Sequence, residues 1–553
     1  MLNKFKKYTI YQIYLRSFQD NDGDGIGDLE GVIERLPLIS KLGIDFIWIS
    51  PFYESHQYDN GYDVDDYKSI DPVFGDFEIF DRLVHKAKEF NIGIMLDMVF
   101  NHSSTYHKWF QKALQGDKEY QDYYIFKDNE GSIPTNWQSK FGGSAWKYIE
   151  DLDKYYLHLF HEKQADLNWK NPKIMNEMVD VLKFWKSKGV TGFRFDVINL
   201  ISKPDVYEDD NIGDGRRFYT DGPDVTRYLS ELFSRADIND CVTVGELSST
   251  TIEKSTAYTN PVNGTLDMAF NFHHLKVDYK DGDKWSVGNM DFKKFFALLD
   301  EWQAKVQEGG GWSAWFMNNH DQPRAISRFG DDKNYHYELA TSLATLTHLM
   351  RGTPYVFQGE EIGMRNPNYD NITDYKDVES LNYYNILLER GYNSKDALYA
   401  IKQRSRDNGR TPMRWDSSEF GGFTTSIPWI KVNRDRDINY LYALENKESI
   451  FYFYRDLISL RTSHPAISEG RYNKIYFDDN IYAFKRSYED EKIIVLINFS
   501  AHPQNLDSQV VNLFKNHSYN ILINNYESFD NLQLLAYQSL VLLQEKWYTK
   551  ILE

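Results

Sequence analysis

The stretch GFRFDV, residues 192–197, shows the pattern on which the fold prediction rests: a short β-rich run that carries charged side chains at its end. Seven further β-rich runs recur along the chain: IYQIYLRSF (10–18), FIWIS (46–50), IGIMLDMVF (92–100), VTVGE (242–246), LDMAFNF (266–272), WFMNNH (315–320) and PYVFQGEE (354–361). Segments with apolar residues at helical spacing lie between them, such as FDRLVHKAKEF (80–90) and MNEMVDVLKFWKSKG (175–189). Alternating strands and helices indicate parallel pairing, and eight such units predict an α/β fold, the (β/α)8 TIM barrel.

Two parts of the chain depart from this alternation. The gap between the third and fourth runs is much longer than one helix needs, which predicts an inserted subdomain after strand three, residues 102–172. Near the C-terminus, strand-like pieces follow one another with no helices between them: IYAFKRSY (481–488), KIIVLINFS (492–500), YNILINN (519–525) and SLVLLQ (539–544). These pieces predict a C-terminal antiparallel β-sandwich domain at 476–553, which leaves 1–101 and 173–475 for the barrel.

Composition argues against several classes of function. The formal net charge of -19, from 63 Lys and Arg against 82 Asp and Glu, argues against a nucleic acid partner, because such a partner requires a basic face. No run approaches the roughly 18 apolar residues of a membrane-spanning helix, so we expect no membrane partner. The single cysteine, Cys241, and an N-terminus without an apolar signal segment predict a cytoplasmic protein, with a monomer as the default.

Ionisable residues gather at the ends of four predicted strands, where the catalytic groups of a barrel lie. They are Asp97 with Asn101 and His102, then Arg194 with Asp196, then Glu246, and finally His320 with Asp321. A single Asp at a strand end often caps a helix, but three carboxylates with an arginine suit glycoside hydrolysis. Arg194 shares a strand face with Asp196 and should keep it ionised as the nucleophile, whereas burial among carboxylates favours a protonated Glu246 as the acid.

Five motifs resemble the signature regions of the α-amylase family of glycoside hydrolases: DMVFNHS (97–103), GFRFDVINL (192–200), VGEL (244–247), NNHDQPR (318–324) and QADLNW (164–169), the last in the form found in oligo-1,6-glucosidase relatives. The resemblance covers nearly the whole chain. It implies that Asp196 is the nucleophile, Glu246 the general acid/base and Asp321 the carboxylate that supports the distorted sugar ring. The substrate-binding side chains that it implies in these motifs are His102, Arg194 and His320.

Two further segments are similar to the glucosidase branch of that family. YDNGYD (58–63) and RDNGRTPMRW (406–415) match segments in which an Asp and an Arg close the far end of the pocket around the non-reducing glucose. Here the resemblance identifies them as Asp59 and Arg410, with Tyr62 as the stacking platform. A pocket blocked in this way implies an exo-acting enzyme.

An acidic loop, DNDGDGIGD (20–28), lies apart from these motifs. Its alternating carboxylates, with a sharp turn at Gly25, resemble a calcium loop that gathers several oxygens around one hard cation. Gly31 stands where an EF-hand requires Glu, so the loop is not an EF-hand. We expect a structural Ca²⁺ held by Asp20, Asp22, Asp24, the carbonyl of Ile26 and Asp28.

The substrate is indicated by segments outside the signature regions. Val197 occurs in relatives that act on α-1,6 links. However, GELSSTT (245–251), NFHHLKVDYKDGDKW (271–285), RRFYTDGP (216–223) and NITDYKDVESLN (371–382) resemble the trehalose-6-phosphate hydrolase branch. The second of these follows strand six, so it brings His273, His274, Lys276 and Lys284 to the mouth of an acidic site, where an approaching phosphate needs cations. The resemblance implies that Lys276 and Lys284 bind the phosphate.

These observations predict a retaining α-glucosidase that hydrolyses trehalose 6-phosphate through a covalent glucosyl-Asp196 intermediate, without an organic cofactor. The alternative is an oligo-1,6-glucosidase or dextran glucosidase, which shares the catalytic constellation but acts on isomalto-oligosaccharides. A sucrose isomerase has no use for the two lysines. A non-catalytic transporter partner or a binding-only module would not require all three carboxylates and the arginine.

Overall fold

Eight parallel strands form the centre of the protein, whose computed structural model describes residues 4–545. In chain order they are Ile10–Ile13, Phe46–Ile49, Gly93–Met98, Gly192–Phe195, Val242–Glu246, Met268–Phe270, Ala314–Trp315 and Thr353–Phe357. Each strand pairs with its neighbours in sequence, the first also pairs with the eighth, and a parallel bridge from Ala269 to Ser313 joins the sixth to the seventh. The sheet therefore closes on itself, and the predicted (β/α)8 barrel is confirmed.

Helices surround the barrel and cover its outer face. They are Leu29–Ile39, Phe77–Glu89, Pro172–Ser187, Val225–Ala236, Ile252–Thr259, Phe292–Glu308, His336–Leu349 and Ile450–Ser463. Local chemistry sets their starts: Asn171 accepts the backbone N–H of Lys173 just before Pro172, whose fixed φ suits the first helical position. Because both faces of the barrel strands are covered, their side chains are almost continuously apolar and buried. No helix within residues 4–545 is both long and apolar enough to cross a lipid bilayer.

The inserted subdomain lies between the third strand and the helix Pro172–Ser187. It contains a three-stranded antiparallel sheet formed by Phe126–Asp128, Trp146–Ile149 and Lys154–Leu157. A two-stranded sheet is formed by His102–Ser104 and Gln164–Asp166, and the two short helices are Lys108–Leu114 and Lys118–Gln121. Its apolar cluster includes Trp137 and Trp146 and continues into Val197 and Leu200 of the barrel. This shared core places the subdomain directly beside the residue that follows Asp196.

A long segment separates the eighth strand from the last barrel helix. It contains the helices Val378–Glu389, Ser394–Arg404 and Tyr440–Glu445 and a turn of 3-10 helix at Arg406–Asn408. The alternation of strands and helices in the sequence does not predict its course. The segment nevertheless returns Glu379 and Arg406 to the lining of the cavity described below.

The C-terminal domain contains an antiparallel five-stranded sheet with the strands Arg471–Phe477, Ile481–Tyr488, Glu491–Asn498, Ser539–Gln544 and Tyr519–Asn524, in this spatial order. The predicted antiparallel domain is therefore confirmed, although the boundary at 475/476 cuts the first strand, which begins earlier because Tyr472 pairs with Arg486. Residues 546–553, which the prediction included, lie outside the described residues.

The prediction that no helix interrupts these strands is wrong. Ser508–Asn516 is a helix, capped by Asp507, which accepts the backbone N–H of Gln509. Alternate strand residues face opposite sides of the sheet: Tyr482 and Phe484 pack towards the barrel, whereas Ile481 and Ala483 pack towards this helix and a small two-stranded sheet, Gln504–Asn505 with Gln533–Leu534. The layer on the outer side of the five-stranded sheet is thus partly helical.

Candidate active site

A cavity of about 420 Å³ opens where the barrel strands end. Asp196, Glu246 and Asp321, whose positions at predicted strand ends indicated a catalytic role, all line it. Asp196 directly follows the fourth strand and Glu246 ends the fifth, so the two carboxylates come from neighbouring strands. Asp321 lies several residues beyond the end of the seventh strand, and its backbone N–H donates to the side chain of Asn319 over 2.9 Å.

One buried guanidinium organises two of these carboxylates. Arg194 donates to Asp196 over 2.7 Å and also to Glu246, and a further bond of 2.5 Å joins it to Asp97 below. The planar fork of arginine donors suits this role, because its directions are set by geometry. Asp196 and Glu246 therefore share one guanidinium donor at the lining of the cavity.

Asp196 and Asp321, two of the aspartates that line the cavity, differ in their ease of ionisation. Burial raises the pKa of Asp196 to about 6, and the charge of Arg194 opposes this rise. Burial also works against the charged form of Asp321, but the ring of His320 and the guanidinium groups of Arg406 and Arg410 hold its pKa well below the usual range. Both aspartates are therefore ionised at neutral pH, as a nucleophile and a charge-stabilising group require.

Val197 adopts an unusual backbone conformation directly after Asp196. Its φ of 35° and ψ of 40° place a β-branched residue in the left-handed region, which costs roughly 1–3 kcal/mol. The backbone N–H of Asp196 donates to the carbonyl of Met98 over 3.0 Å, and Val197 itself lines the cavity. The sharp turn at Val197 thus occurs where Asp196 meets the cavity.

Tyr62 and two histidines occupy one side of the cavity. The ring of Tyr62 lies parallel to that of His320, with centroids 5.3 Å apart, and its hydroxyl lies 2.7 Å from His320 Nε2 and 2.9 Å from an oxygen of Asp97. Tyr62 and His102 line the cavity, whereas His320 lies behind Tyr62 and is almost fully buried. Gln164 lies 3.2 Å from His102 Nε2 and donates to Asp59 over 3.1 Å.

Asp59 and Arg410, which the resemblance places together at the far end of the pocket, do not form an ion pair with each other in this structure. The arginine that contacts Asp59 is Arg406, over 3.0 Å, and Arg406 also reaches Asp321 over 3.3 Å and Asp377 over 2.7 Å. Arg410 is fully buried and donates to Asp321 over 2.9 Å and to the carbonyl of His320 over 2.8 Å. The 3-10 turn that begins at Arg406 directs the first arginine of the motif, rather than the second, towards Asp59.

Cations gather at the mouth of the cavity. Lys276 and Lys284, which were predicted from the sequence, line it together with Lys140 and Arg216, which were not. Lys284 donates to Glu379 over 2.6 Å, whereas no carboxylate among the described residues lies within 4.0 Å of the Lys276 ammonium. Burial and the charges of Arg216 and Lys284 lower the pKa of Lys276 to about 8. The cavity of this acidic chain is thus lined by several cations as well as by carboxylates.

The two histidines of the same segment pack against aromatic rings. His274 is buried, and its Nε2 lies 2.9 Å from the carbonyl of Phe316. The ring centroid of His273 lies 4.9 Å from that of Trp302. Neither histidine lines the cavity, whereas the two lysines of this segment do.

The acidic loop brings three of its predicted ligands together. Oxygens of Asp20, Asp22 and Asp28 lie within 4.8 Å of one another, while Asp24 is not part of this group. Asp20 also accepts the backbone N–H groups of Gly23 and Gly25, over 2.7 and 2.8 Å. The loop is therefore folded around its carboxylates.

Comparisons with known proteins identify the family of the chain. The family model described as the catalytic domain of alpha-amylase matches residues 12–470. The trehalose-6-phosphate hydrolase of Bacillus subtilis (strain 168) is 49% identical over 501 residues, which are 90% of this chain and 89% of that protein. The oligo-1,6-glucosidase of Bacillus cereus is 43% identical over 555 residues, 97% of this chain and 98% of that protein.

Comparison with a solved structure shows that the fold is also shared. The crystal structure of Bacillus licheniformis trehalose-6-phosphate hydrolase has a TM-score of 0.93 and 45% sequence identity, and the match covers 98% of this chain and 100% of that one. The matched lengths include the barrel, the inserted subdomain and the C-terminal sheet. The chain is therefore an enzyme that belongs to the α-amylase family of glycoside hydrolases.

Proposed function

We propose that this enzyme hydrolyses trehalose 6-phosphate to glucose and glucose 6-phosphate with retention of configuration. The observation that carries the proposal is the Lys276 ammonium, which lines the catalytic cavity without a carboxylate partner within 4.0 Å among the described residues. A lysine in this position offers its charge to an anionic group of the substrate. The 49% identity to a trehalose-6-phosphate hydrolase gives independent support.

The chemistry begins with the two carboxylates that share Arg194. Glu246 donates its proton to the glycosidic oxygen, while a carboxylate oxygen of Asp196 attacks the anomeric carbon of the unphosphorylated glucose. The bond from that carbon to the glycosidic oxygen breaks, and glucose 6-phosphate leaves. Asp321 remains ionised beside the reacting sugar and stabilises the positive charge that develops on the ring.

Water completes the reaction. Glu246, now ionised, takes a proton from a water molecule, whose oxygen attacks the anomeric carbon and releases glucose from Asp196. Each step inverts the configuration at that carbon, so the product retains it. A retaining mechanism of this kind requires the two carboxyl groups to stand roughly 5 to 5.5 Å apart.

The closed end of the cavity suits a single glucose unit. Asp59 and Tyr62 line it, and the contact of Asp59 with Arg406 closes this end with a buried ion pair. Charged hydrogen-bonding groups in such a place hold the hydroxyls of the terminal sugar and exclude a longer chain. The enzyme is therefore proposed to act from the non-reducing end, one glucose at a time.

Phosphate recognition follows from electrostatics. A phosphate group carries about 1.5 to 2 negative charges at neutral pH, and it would be repelled by Asp196, Asp321 and Glu379 if no cation lay near it. Lys276 supplies an available charge, and Lys284 supplies a second one that it shares with Glu379. A hydrogen bond to a charged group contributes roughly 1.5–3 kcal/mol, enough to separate phosphorylated from unphosphorylated glucosides.

A second candidate function is an oligo-1,6-glucosidase. It is favoured by Val197, which lines the cavity next to Asp196, and by the 43% identity to such an enzyme. The catalytic steps are the same in both candidates. They differ in the leaving group, which carries a phosphate in one and none in the other.

The acidic loop is proposed to hold a structural Ca²⁺. The close carboxylates of Asp20, Asp22 and Asp28 repel one another, and hard oxygen ligands are those that Ca²⁺ prefers. The carbonyl of Ile26 completes the proposed set, with Asp24 nearby in the loop. A bound cation would stabilise the loop and would leave the catalytic steps to the barrel residues.

The proposed function is tested by product analysis. Purified enzyme is given trehalose 6-phosphate, isomaltose, trehalose or sucrose, and glucose and glucose 6-phosphate are quantified. We expect equal amounts of both products from trehalose 6-phosphate and slow cleavage of the others, with the preference lost in the Lys276→Ala/Lys284→Ala double variant. Rapid cleavage of isomaltose and indifference to phosphate would leave the oligo-1,6-glucosidase, and conversion of sucrose into an isomer would identify a sucrose isomerase.

A further inference from the structure

We propose that Lys140, from the inserted subdomain, is a further phosphate-binding residue and makes that subdomain part of the specificity site. This inference rests on the proposed function, because it concerns the same leaving group. Lys140 lines the catalytic cavity together with Lys276 and Arg216. Nothing in the pattern of the sequence marks it, since it lies in a loop between the strands Phe126–Asp128 and Trp146–Ile149.

The charge of Lys140 has no carboxylate partner. Within residues 4–545, no Asp or Glu oxygen lies within 4.0 Å of its ammonium, whose hydrogen bond goes to Ser248 Oγ over 2.9 Å. Other cations of the cavity are paired: Lys284 with Glu379, Arg216 with Asp214 and Arg406 with Asp59. Lys147, on a neighbouring strand of the subdomain, is also paired, over 2.8 Å with Glu162. Lys140 and Lys276 are thus the two lysines of the cavity left without a counter-ion.

Two uncompensated ammonium groups in one cavity indicate an anionic ligand. Two positive charges that lie close together in a partly desolvated site repel each other, which costs free energy. A dianion bound between them replaces this repulsion with attraction. The anion must also be attached to a sugar that reaches Asp196, because the same cavity contains the catalytic carboxylates. A sugar phosphate satisfies both conditions.

The protonation equilibria agree with this geometry. Burial, and then the charges of Arg216 and Lys276, lower the pKa of Lys140 to about 7; Lys203 adds to this effect and Asp214 opposes it. Lys140 is therefore only partly protonated in the free enzyme at neutral pH. Binding of a phosphate dianion favours the charged form, so we expect it to draw a proton onto Lys140.

The backbone around Lys140 holds the side chain in place. The N–H of Lys140 donates to the carbonyl of Leu159 over 2.9 Å, and the hydroxyl of Ser139 donates to the carbonyl of Phe160 over 2.7 Å. The ring of Phe141 lies 4.8 Å from the guanidinium of Arg406 at the closed end of the cavity. One short loop therefore joins the glucose end of the site to its phosphate end.

A purely structural role for Lys140 makes a different prediction. If the bond to Ser248 only tethers the subdomain to the barrel, loss of Lys140 should affect every substrate alike. The test compares Lys140→Met and Lys140→Arg with Lys147→Met, which removes the same charge from the same subdomain outside the cavity. The measurements are KM and kcat for trehalose 6-phosphate and for p-nitrophenyl α-glucoside, and the inhibition constant of glucose 6-phosphate against that of glucose.

We expect Lys140→Met to raise the KM for trehalose 6-phosphate and the inhibition constant of glucose 6-phosphate about tenfold or more, with little change for the uncharged compounds. Lys140→Arg should keep most of the phosphate preference, and Lys147→Met all of it. Equal losses on both substrates, or no loss on either, would overturn the assignment of Lys140. A wild-type enzyme that ignores the phosphate would overturn the proposed function itself, and this inference with it.

Discussion

Replacing Arg406 by leucine tests how the closed end of the cavity is built. Arg406 is buried and reaches Asp59 over 3.0 Å, Asp377 over 2.7 Å and Asp321 over 3.3 Å. Its loss leaves Asp59 without a guanidinium partner, whereas Arg410 still contacts Asp321 over 2.9 Å. Breaking a buried ion pair costs about 3–5 kcal/mol, and the remaining arginine places the effect at the lower end of this range.

If roughly 2–3 kcal/mol of that loss appears in the transition state, kcat/KM falls about 30- to 150-fold. The assay measures kcat/KM for trehalose 6-phosphate and for p-nitrophenyl α-glucoside, which share the terminal glucose. Both values should fall together, whereas Arg235→Leu, which breaks an exposed pair with Glu231, should leave both unchanged. A loss confined to the phosphorylated substrate, or no loss at all, would refute the reasoning that Arg406 acts at the glucose end.

Three further predictions concern protons and the acidic loop. Below about pH 6, kcat/KM for every α-glucoside should fall, because the pKa of Asp196 is raised to about 6 and its protonated form cannot attack; a flat profile would contradict this role. Towards alkaline pH, only the phosphorylated substrate should show a rising KM. The pKa of Lys140 is lowered to about 7 and that of Lys276 to about 8, and each lysine loses its charge above its pKa. A parallel rise in the KM for p-nitrophenyl α-glucoside would argue against a phosphate-binding role of these lysines. Removal of Ca²⁺ by a chelator should lower the melting temperature, and added Ca²⁺ should restore it, because Asp20, Asp22 and Asp28 then repel one another; an unchanged melting temperature would exclude the proposed site.

The barrel was predictable because its determinants are local and repeated. Each strand is a short buried run, and parallel strands covered on both faces keep a continuous apolar pattern that can be recognised in the sequence. The helix Ser508–Asn516 was missed because it is short and stands among strand-like pieces, although Val510 and Phe514 are separated by a helical spacing.

The site was less predictable where it depends on side-chain direction. Arg406 and Arg410 belong to one motif, and only the fold of the turn decides which of them contacts Asp59. Lys140 lies outside the signature motifs, in a loop whose route to the cavity depends on its backbone contact with Leu159. His273 and His274 were close to the lysines in sequence, yet neither lines the cavity, and the side chain of His274 is buried. The order of residues in the chain predicts which of them lie near the site, but their contacts depend on tertiary packing.

The most direct test of the account is the ratio of kcat/KM for trehalose 6-phosphate to that for trehalose, measured at one pH with the same enzyme. The two substrates differ only in the phosphate, so the ratio isolates the contribution of the residues that contact this group, among them Lys276 and Lys284 by our proposal. Two contacts of roughly 1.5–3 kcal/mol each predict a ratio above about 100. A ratio near one would contradict the central claim that this glycoside hydrolase selects its substrate by the phosphate group.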